Sequence, residues 1–286
     1  MINVKAWAKL NLNLHLMPKG LKNGYYPVKF INCEIDLHDK LFIKKIKNKI
    51  KIVSSDSELP TEKHNLIYKA AYLIKKFTNK KEFGAEIVLK KNIPVKSGLG
   101  GGSSDGAATL KGLLKLWQVK ITNNQLFIII RQLGKDAFYC FEGGLCHVKG
   151  DGSKITPLNY KLPRLWLIII APEISKPSTA WMYQSLDCTT IGRNLDKIKK
   201  LKKAILNKDK GAIYTNLHND FENLAALKFP IIDQIKKELT AAGAKATLMA
   251  GSGLSVVGFF ESKKEAIISY RKLKIKYKKI FYASTK

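Results

Sequence analysis

Apolar and polar residues alternate strictly along the start of the chain. Ile2, Val4, Ala6, Ala8, Leu10, Leu12, Leu14 and Leu16 fall on one side, and Asn3, Lys5, Trp7, Lys9, Asn11, Asn13 and His15 on the other. A period of two predicts a half-buried strand. A loop at 18–27, with Gly20 and Asn23-Gly24, leads to predicted strands at 28–37 and 41–53, the second heavily loaded with lysine. Residues 54–63 read as a polar loop. At 65–77 the period becomes helical, with Leu66, Ala70, Leu73, Ile74 and Phe77 on one face. A strand at 83–89, a helix at 106–117 and a helix at 123–133 follow. Residues 138–148 alternate again and end at the turn Gly150-Asp151-Gly152.

The apolar run at 165–171 reads as a buried strand, and 172–177 interrupts the chain. Helices are predicted at 178–184, 195–206, 210–214, 231–242 and 263–274. Strands at 246–249 and 254–260 flank Gly251-Ser252-Gly253. The later β-β-α-β-β-α order points to an α+β sandwich. A boundary near residue 160 divides the 286 residues into domains at 1–160 and 161–286.

Composition narrows the picture. No apolar run reaches the roughly eighteen residues of a membrane span, and the N-terminus carries no apolar signal core. Cys33, Cys140, Cys146 and Cys188 form no paired motif, which argues against zinc and a disulfide scaffold and for the cytoplasm. The net charge is +29, yet the basic residues include only the arginines Arg131, Arg164, Arg193 and Arg271. Nucleic-acid readers favour arginine for its bidentate fork, so this lysine-dominated charge reads either as a compositional bias without functional meaning or as an attraction for anionic small molecules, ahead of nucleic acid.

Between the strand at 83–89 and the helix at 106–117 lies Lys91-Asn92-Ile93-Pro94-Val95-Lys96-Ser97-Gly98-Leu99-Gly100-Gly101-Gly102-Ser103-Ser104-Asp105, with Ser-Ser-Asp reading as the N-cap run. Glycine lets the backbone turn through positive φ and bring its N–H groups close to a ligand. A helix N-terminus adds unpaired donors and the positive end of a dipole. Together they predict a phosphate cradle. No Gly-Lys-Ser/Thr closes it as in a Walker loop, and no acidic residue follows at the dinucleotide spacing. Ser103 or Ser104 can reach a magnesium ion, and Asp105 can assist or cap the helix.

Lys9, on the polar face of the first strand, and Asp136, opening a loop at Gly134-Lys135-Asp136, offer an acid–base pair. A carboxylate can take an alcohol's proton while an ammonium lowers that alcohol's pKa. Taken singly, each reads as an ordinary surface charge, and sequence spacing does not show that they meet. Gly251-Ser252-Gly253 reads as a hairpin, or as a turn that another backbone approaches closely.

In this order, Ala8-Lys9-Leu10-Asn11-Leu12-Asn13-Leu14, the run 94–108 and Ala250-Gly251-Ser252-Gly253 resemble the GHMP kinase superfamily of ATP-dependent small-molecule kinases. The run 98–105, with Asn23-Gly24-Tyr25, His64-Asn65-Leu66 and Gly134-x-Asp136, resembles its cytidyl-substrate branch. The resemblance spans about residues 5–260. It implies a two-domain α+β fold, with an N-terminal βαβ-type domain, a C-terminal α/β sandwich and the active site in the interdomain cleft.

It also implies roles. Asp136 would be the catalytic base and Lys9 would polarise the attacking hydroxyl. Pro94, Val95, Lys96, Ser97, Gly98, Leu99, Gly100, Gly101, Gly102, Ser103 and Ser104 would bind ATP with Mg²⁺, Ser104 as a metal ligand. Asn65 would lie by the nucleotide and Asn11 by the substrate. Tyr25 and Tyr183 would stack on cytosine, with Tyr26 where the family has a histidine that reads the base edge. Trp7 replaces the family's proline, and Ala137-Phe138 its Val-Pro. The implied reaction phosphorylates the 2-hydroxyl of a diphosphocytidyl-linked methylerythritol in non-mevalonate isoprenoid synthesis, by a monomer or homodimer. A sibling kinase for another small alcohol or sugar, and a basic RNA-binding module, are the competing readings.

Overall fold

The computed structural model describes residues 1–18 and 24–286. Gly20 and Asn23 of the predicted loop lie outside the described residues. The chain divides into two compact units, each assembled from separated segments.

The first unit comprises residues 1–8, 38–95 and 100–142. It takes the start of β1 (Ile2–Leu16) and the end of β2 (Val28–Lys47), with β3 (Ile50–Ser54), α1 (Leu66–Thr78), β4 (Phe83–Lys90), α2 (Gly101–Leu116), α3 (Asn123–Leu133) and α4 (Lys135–Glu142). β4 pairs antiparallel with β2, Lys40 opposite Lys90, and parallel with β3, Ile50 opposite Ala85. The β-branched face of these strands meets the apolar stripes of the helices. Ile43, Ile67, Ile74, Ile87, Leu110, Leu113 and Ile129 form one buried cluster. Gly112 permits the helix–sheet approach: a β-carbon there would lie 2.7 Å from Ile43 Cδ1.

The second unit comprises residues 9–37, 96–99 and 143–286. Here β5 (Cys146–Gly150) pairs antiparallel with the start of β2 and with β6 (Lys154–Pro157). The chain continues through β7 (Trp166–Ile170), α5 (Thr179–Gln184), α6 (Asp196–Leu206), α7 (Lys210–Thr215) and β8 (His218–Asn219). It ends with α8 (Glu222–Lys228), α9 (Ile231–Ala241), β9 (Ala246–Met249), β10 (Val256–Phe260), α10 (Lys263–Leu273) and β11 (Ile280–Ser284). β8 pairs parallel with β1, Asn13 opposite His218. The antiparallel order β11-β7-β10-β9 forms a separate sheet against which α9 and α10 pack. Leu167, Ile168, Ile169 and Ile170 are buried, as expected of a strand inside that sheet.

Several expectations need correction. β1 is not half-buried along its length: Lys9, Asn11, Asn13 and His15 on its polar face are all buried. The lysine-rich segment is not a separate strand from 41 to 53, because β2 runs unbroken to Lys47. The alternation at 138–148 conceals the end of α4 and the start of β5, since a short apolar run fits either period. Asp136 therefore stands in the first turn of a helix and does not open a loop. α2 begins at Gly101, so Ser103, Ser104 and Asp105 lie inside the helix and cannot cap it. α8, β8 and β11 carry too few residues or too weak a period to register in the sequence.

Candidate active site

β4 delivers the chain to the glycine-rich loop, and a buried charge cluster fixes the exit. Asp39 Oδ1 accepts the N–H groups of Asn92 (2.5 Å) and Ile93 (2.8 Å). The Lys91 ammonium binds Asp39 and, at 2.8 Å, Asp105 of α2. Burial lowers the Lys91 pKa, but the carboxylates of Asp105 and Asp39 outweigh it and the net shift is upward. Burial raises that of Asp105, helped by Asp39 and opposed by Lys91, because two carboxylates share one ammonium. Asp105 is thus a structural anchor of α2.

Beyond Val95 the backbone enters the left-handed region at Lys96 (φ 57°), Gly98 (φ 87°) and Gly100 (φ 73°). Gly100 is the N-cap of α2 and supplies no side-chain acceptor, and the first turn carries no acidic residue. The first-turn amides are left to point outward for an anion. Leu99 is buried, and its carbonyl accepts the Lys9 N–H at 2.9 Å. Loop tip and first strand are therefore pinned by backbone.

The second glycine turn, between β9 and β10, presses against that tip. A β-carbon on Gly98 would lie 1.8 Å from the Ala250 carbonyl oxygen. One on Gly253 would lie 2.3 Å from the Gly98 nitrogen. The close-approach reading of this turn holds together with the hairpin, because β9 and β10 are paired antiparallel.

Lys9 and Asn11 complete the group. Lys9 Nζ donates to Asn11 Oδ1 at 2.6 Å, and Asn11 Nδ2 donates to Asn32 Oδ1 at 2.6 Å. A β-carbon on Gly251 would lie 3.1 Å from Lys9 Nζ and 3.2 Å from Asn11 Oδ1. Thus the Lys9 ammonium, the Asn11 amide and both glycine turns meet in one place within the second unit.

The remaining predicted residues are disposed as follows. Tyr25 and Tyr183 are brought together, ring centroids 4.9 Å apart and edge to face, and Tyr183 also meets Phe221 edge-on at 4.9 Å. Tyr26 is partly exposed. Asn65 caps α1, accepting from the Ile67 N–H at 2.8 Å and donating to the Pro60 carbonyl at 2.7 Å. The Ser104 hydroxyl donates to the Trp7 carbonyl at 2.7 Å and lies 3.2 Å from Cys140 Sγ. Ser103 and Gly101 are partly exposed, and Gly102 is exposed at the helix start. Pro94 and Val95 belong to the first unit, with Asp136.

Family models for the N-terminal and C-terminal domains of GHMP kinases match residues 65–144 and 201–279. A 4-diphosphocytidyl-2-C-methyl-D-erythritol kinase of Clostridium botulinum (strain Alaska E43 / Type E3) is 36% identical over 99% of this chain and 100% of its own. The chain belongs to the GHMP kinase family. The Acetivibrio thermocellus protein of the same name is 37% identical over 96% of this chain and 95% of its own. Among solved structures, a 4-(cytidine 5'-diphospho)-2C-methyl-D-erythritol kinase matches at TM-score 0.85 and 25% identity over 99% of both chains. A mevalonate kinase of L. major shares the fold at TM-score 0.73 and 16% identity, covering 100% of this chain and 96% of its own.

Sequence reasoning missed three residues that support this GHMP kinase's site, two holding the second glycine turn and one orienting Asn11. Asn219 Nδ2 donates to the carbonyls of Met249 (2.8 Å) and Gly251 (2.7 Å). Lys176 Nζ donates to the Ser252 carbonyl and, at 2.9 Å, to its hydroxyl. Asn32 orients Asn11. No local pattern marks them, because each acts on a partner far away in sequence.

Proposed function

We propose that the chain transfers the γ-phosphoryl group of ATP, supplied with Mg²⁺, to the 2-hydroxyl of 4-diphosphocytidyl-2-C-methyl-D-erythritol. The observation that carries this reading is the placement of Lys9 Nζ, buried and aimed by Asn11, beside Gly251 in the turn that braces the Gly98 loop. The names and full-length coverage of the relatives support the acceptor.

In this reading the loop and the first-turn amides of α2 cradle the β- and γ-phosphates, and magnesium enters with the nucleotide as part of the substrate. The Lys9 ammonium stabilises negative charge as it develops on the attacking oxygen, and Asp136 takes the hydroxyl proton. The new bond joins that oxygen to the γ-phosphorus, the bridging bond to the β-phosphate oxygen breaks, and ADP leaves. Tyr25 and Tyr183 hold the cytosine ring, and the Tyr26 phenol offers one hydrogen bond at its edge. Ser104 remains a candidate magnesium ligand through the lone pairs of its hydroxyl.

The test is an ADP-release assay with ATP, Mg²⁺ and that alcohol, run beside a panel of other small alcohols and phosphosugars. The proposal expects turnover with the cytidyl acceptor and its loss in Asp136→Asn. Turnover restricted to another acceptor would replace the substrate and leave the phosphotransferase chemistry standing.

A further inference from the structure

We propose that His15, His218 and Asp220 form a site for one divalent first-row transition-metal cation, zinc being the reference ion. His15, near the end of β1, is fully buried, and among the described residues neither ring nitrogen has a hydrogen-bond partner. Buried polar groups are almost always satisfied, so an imidazole with two idle nitrogens calls for an unseen partner. His218 of β8 stacks on it, centroids 4.5 Å apart and planes 21° apart. Asp220 reaches the same point: its Oδ1 lies 2.6 Å from His218 Nε2. One ligand atom from each of the three falls in a set whose members all lie within 4.8 Å of one another.

The carboxylate of Asp220 is already held in place. Asp220 Oδ2 accepts the backbone N–H groups of Leu16 (2.7 Å) and Gly192 (3.0 Å), which fixes the carboxylate while Oδ1 faces the imidazoles. Two imidazoles and one carboxylate suit zinc and its neighbours, whereas magnesium and calcium prefer all-oxygen shells. The site is therefore distinct in chemistry from the magnesium that accompanies ATP. Binding closes the ligand atoms from their present spread and replaces the His218–Asp220 hydrogen bond. The partly exposed edge of His218 gives the ion its entry and a water its coordination position. The Lys197 ammonium, whose charge bears on His15, is turned to the Leu217 carbonyl at 3.3 Å.

The location gives the ion a task. Asn219, which holds the Met249 and Gly251 carbonyls, lies between the two ligands contributed by β8 and the residue after it. An ion joining His15 to His218 and Asp220 fastens β8 to β1 and stiffens the mount of the second glycine turn.

The experiment uses chelator-stripped full chain carrying Cys188→Ser, which removes the exposed thiol. It is titrated with Co²⁺ and then Zn²⁺. The proposal expects saturation at one ion per chain, visible cobalt bands without a sulfur charge-transfer band, displacement by Zn²⁺, and a higher melting temperature with Zn²⁺ than without. His15→Phe and His218→Phe each weaken Zn²⁺ at least about tenfold. Should His15→Phe fail to fold, electron spin echo spectra of the Cu²⁺-loaded unsubstituted protein report two imidazole ligands. No saturable binding, binding that survives both substitutions, thiolate bands, or fewer than two imidazoles would each overturn the site.

Discussion

Gly98 and Gly253 meet backbone to backbone: a β-carbon on Gly253 would sit 2.3 Å from the Gly98 nitrogen, and the two residues are 155 positions apart in sequence. Glycine is required there by space, and at Gly98 also by its φ of 87°. The two glycine-rich motifs are therefore halves of a single structure, which mounts the loop tip on β9 and β10 and presents it to Lys9.

Gly98→Ala and Gly253→Ala should each cost about 3 kcal/mol or more in urea unfolding, since neither clash can relax without moving backbone. Gly102→Ala is the contrast. Its β-carbon would lie 3.9 Å from Leu66 Cδ1, ordinary van der Waals contact, and stability should stay level or rise by roughly 0.5–1 kcal/mol in the helix. Equal losses in all three would contradict the packing described.

Lys9→Met should lower kcat by about 10²–10⁴ while the protein still folds, because methionine keeps most of the length of the buried side chain without its charge. A KM effect with unchanged kcat would remove Lys9 from the chemical step. Asn11→Ala frees the ammonium from its 2.6 Å partner and should fall between wild type and Lys9→Met.

Asn219→Ala strips two carbonyls of their donor, and buried acceptors left unpaired cost roughly 1–3 kcal/mol. Denaturant melts should show that loss. Steady-state kinetics should show reduced turnover, because the Gly251 turn loses its mount.

Tyr183→Ala should weaken a cytidine nucleotide by about 1–3 kcal/mol, the usual contribution of an aromatic stacked on a base. The KM for ATP should remain within about twofold of wild type, a narrow margin on that scale. Tyr183→Phe, which keeps the ring that meets Tyr25, should bind normally. A loss of ATP affinity equal to the loss of cytidine affinity would displace the tyrosine from the acceptor side.

His147 lies 2.9 Å from Lys202 Nζ through Nδ1. Burial, with Lys202, Lys149 and Lys29 nearby, lowers its pKa from 6.5 to about 4. Between those values the unfolded chain binds the extra proton and the folded chain does not, so this residue's contribution to stability is full above about 6.5 and drains away as the pH falls toward 4. His147→Gln should flatten that part of the stability profile, measured as the difference between the two proteins in melts at pH 7 and pH 4.5.

Much of this protein was written into local pattern. The period of two along β1, the helical spacing of α1, α3, α6, α9 and α10, and the glycines at 98–102 and 251–253 depend on neighbours only a few residues away. Backbone geometry and side-chain alternation act at that range, so these elements and the two glycine turns could be read without coordinates. The resemblance carried by the motifs pointed to the family that full-length relatives then established.

Tertiary structure decided what the polar residues are for. The alternation in β1 predicts a wet face, yet Lys9, Asn11, Asn13 and His15 are interior: the Gly251 turn lies against Lys9 and Asn11, and the His218 ring lies against His15. Ser-Ser-Asp has the composition of a cap, but Gly100 caps α2 and Asp105 is drawn inward to Lys91. Sequence specifies period and turn chemistry; it does not specify which solvent, water or protein, a polar side chain will meet. That is settled by contacts between residues distant in the chain, where the desolvation of a charge is repaid only by a partner that folding brings to it.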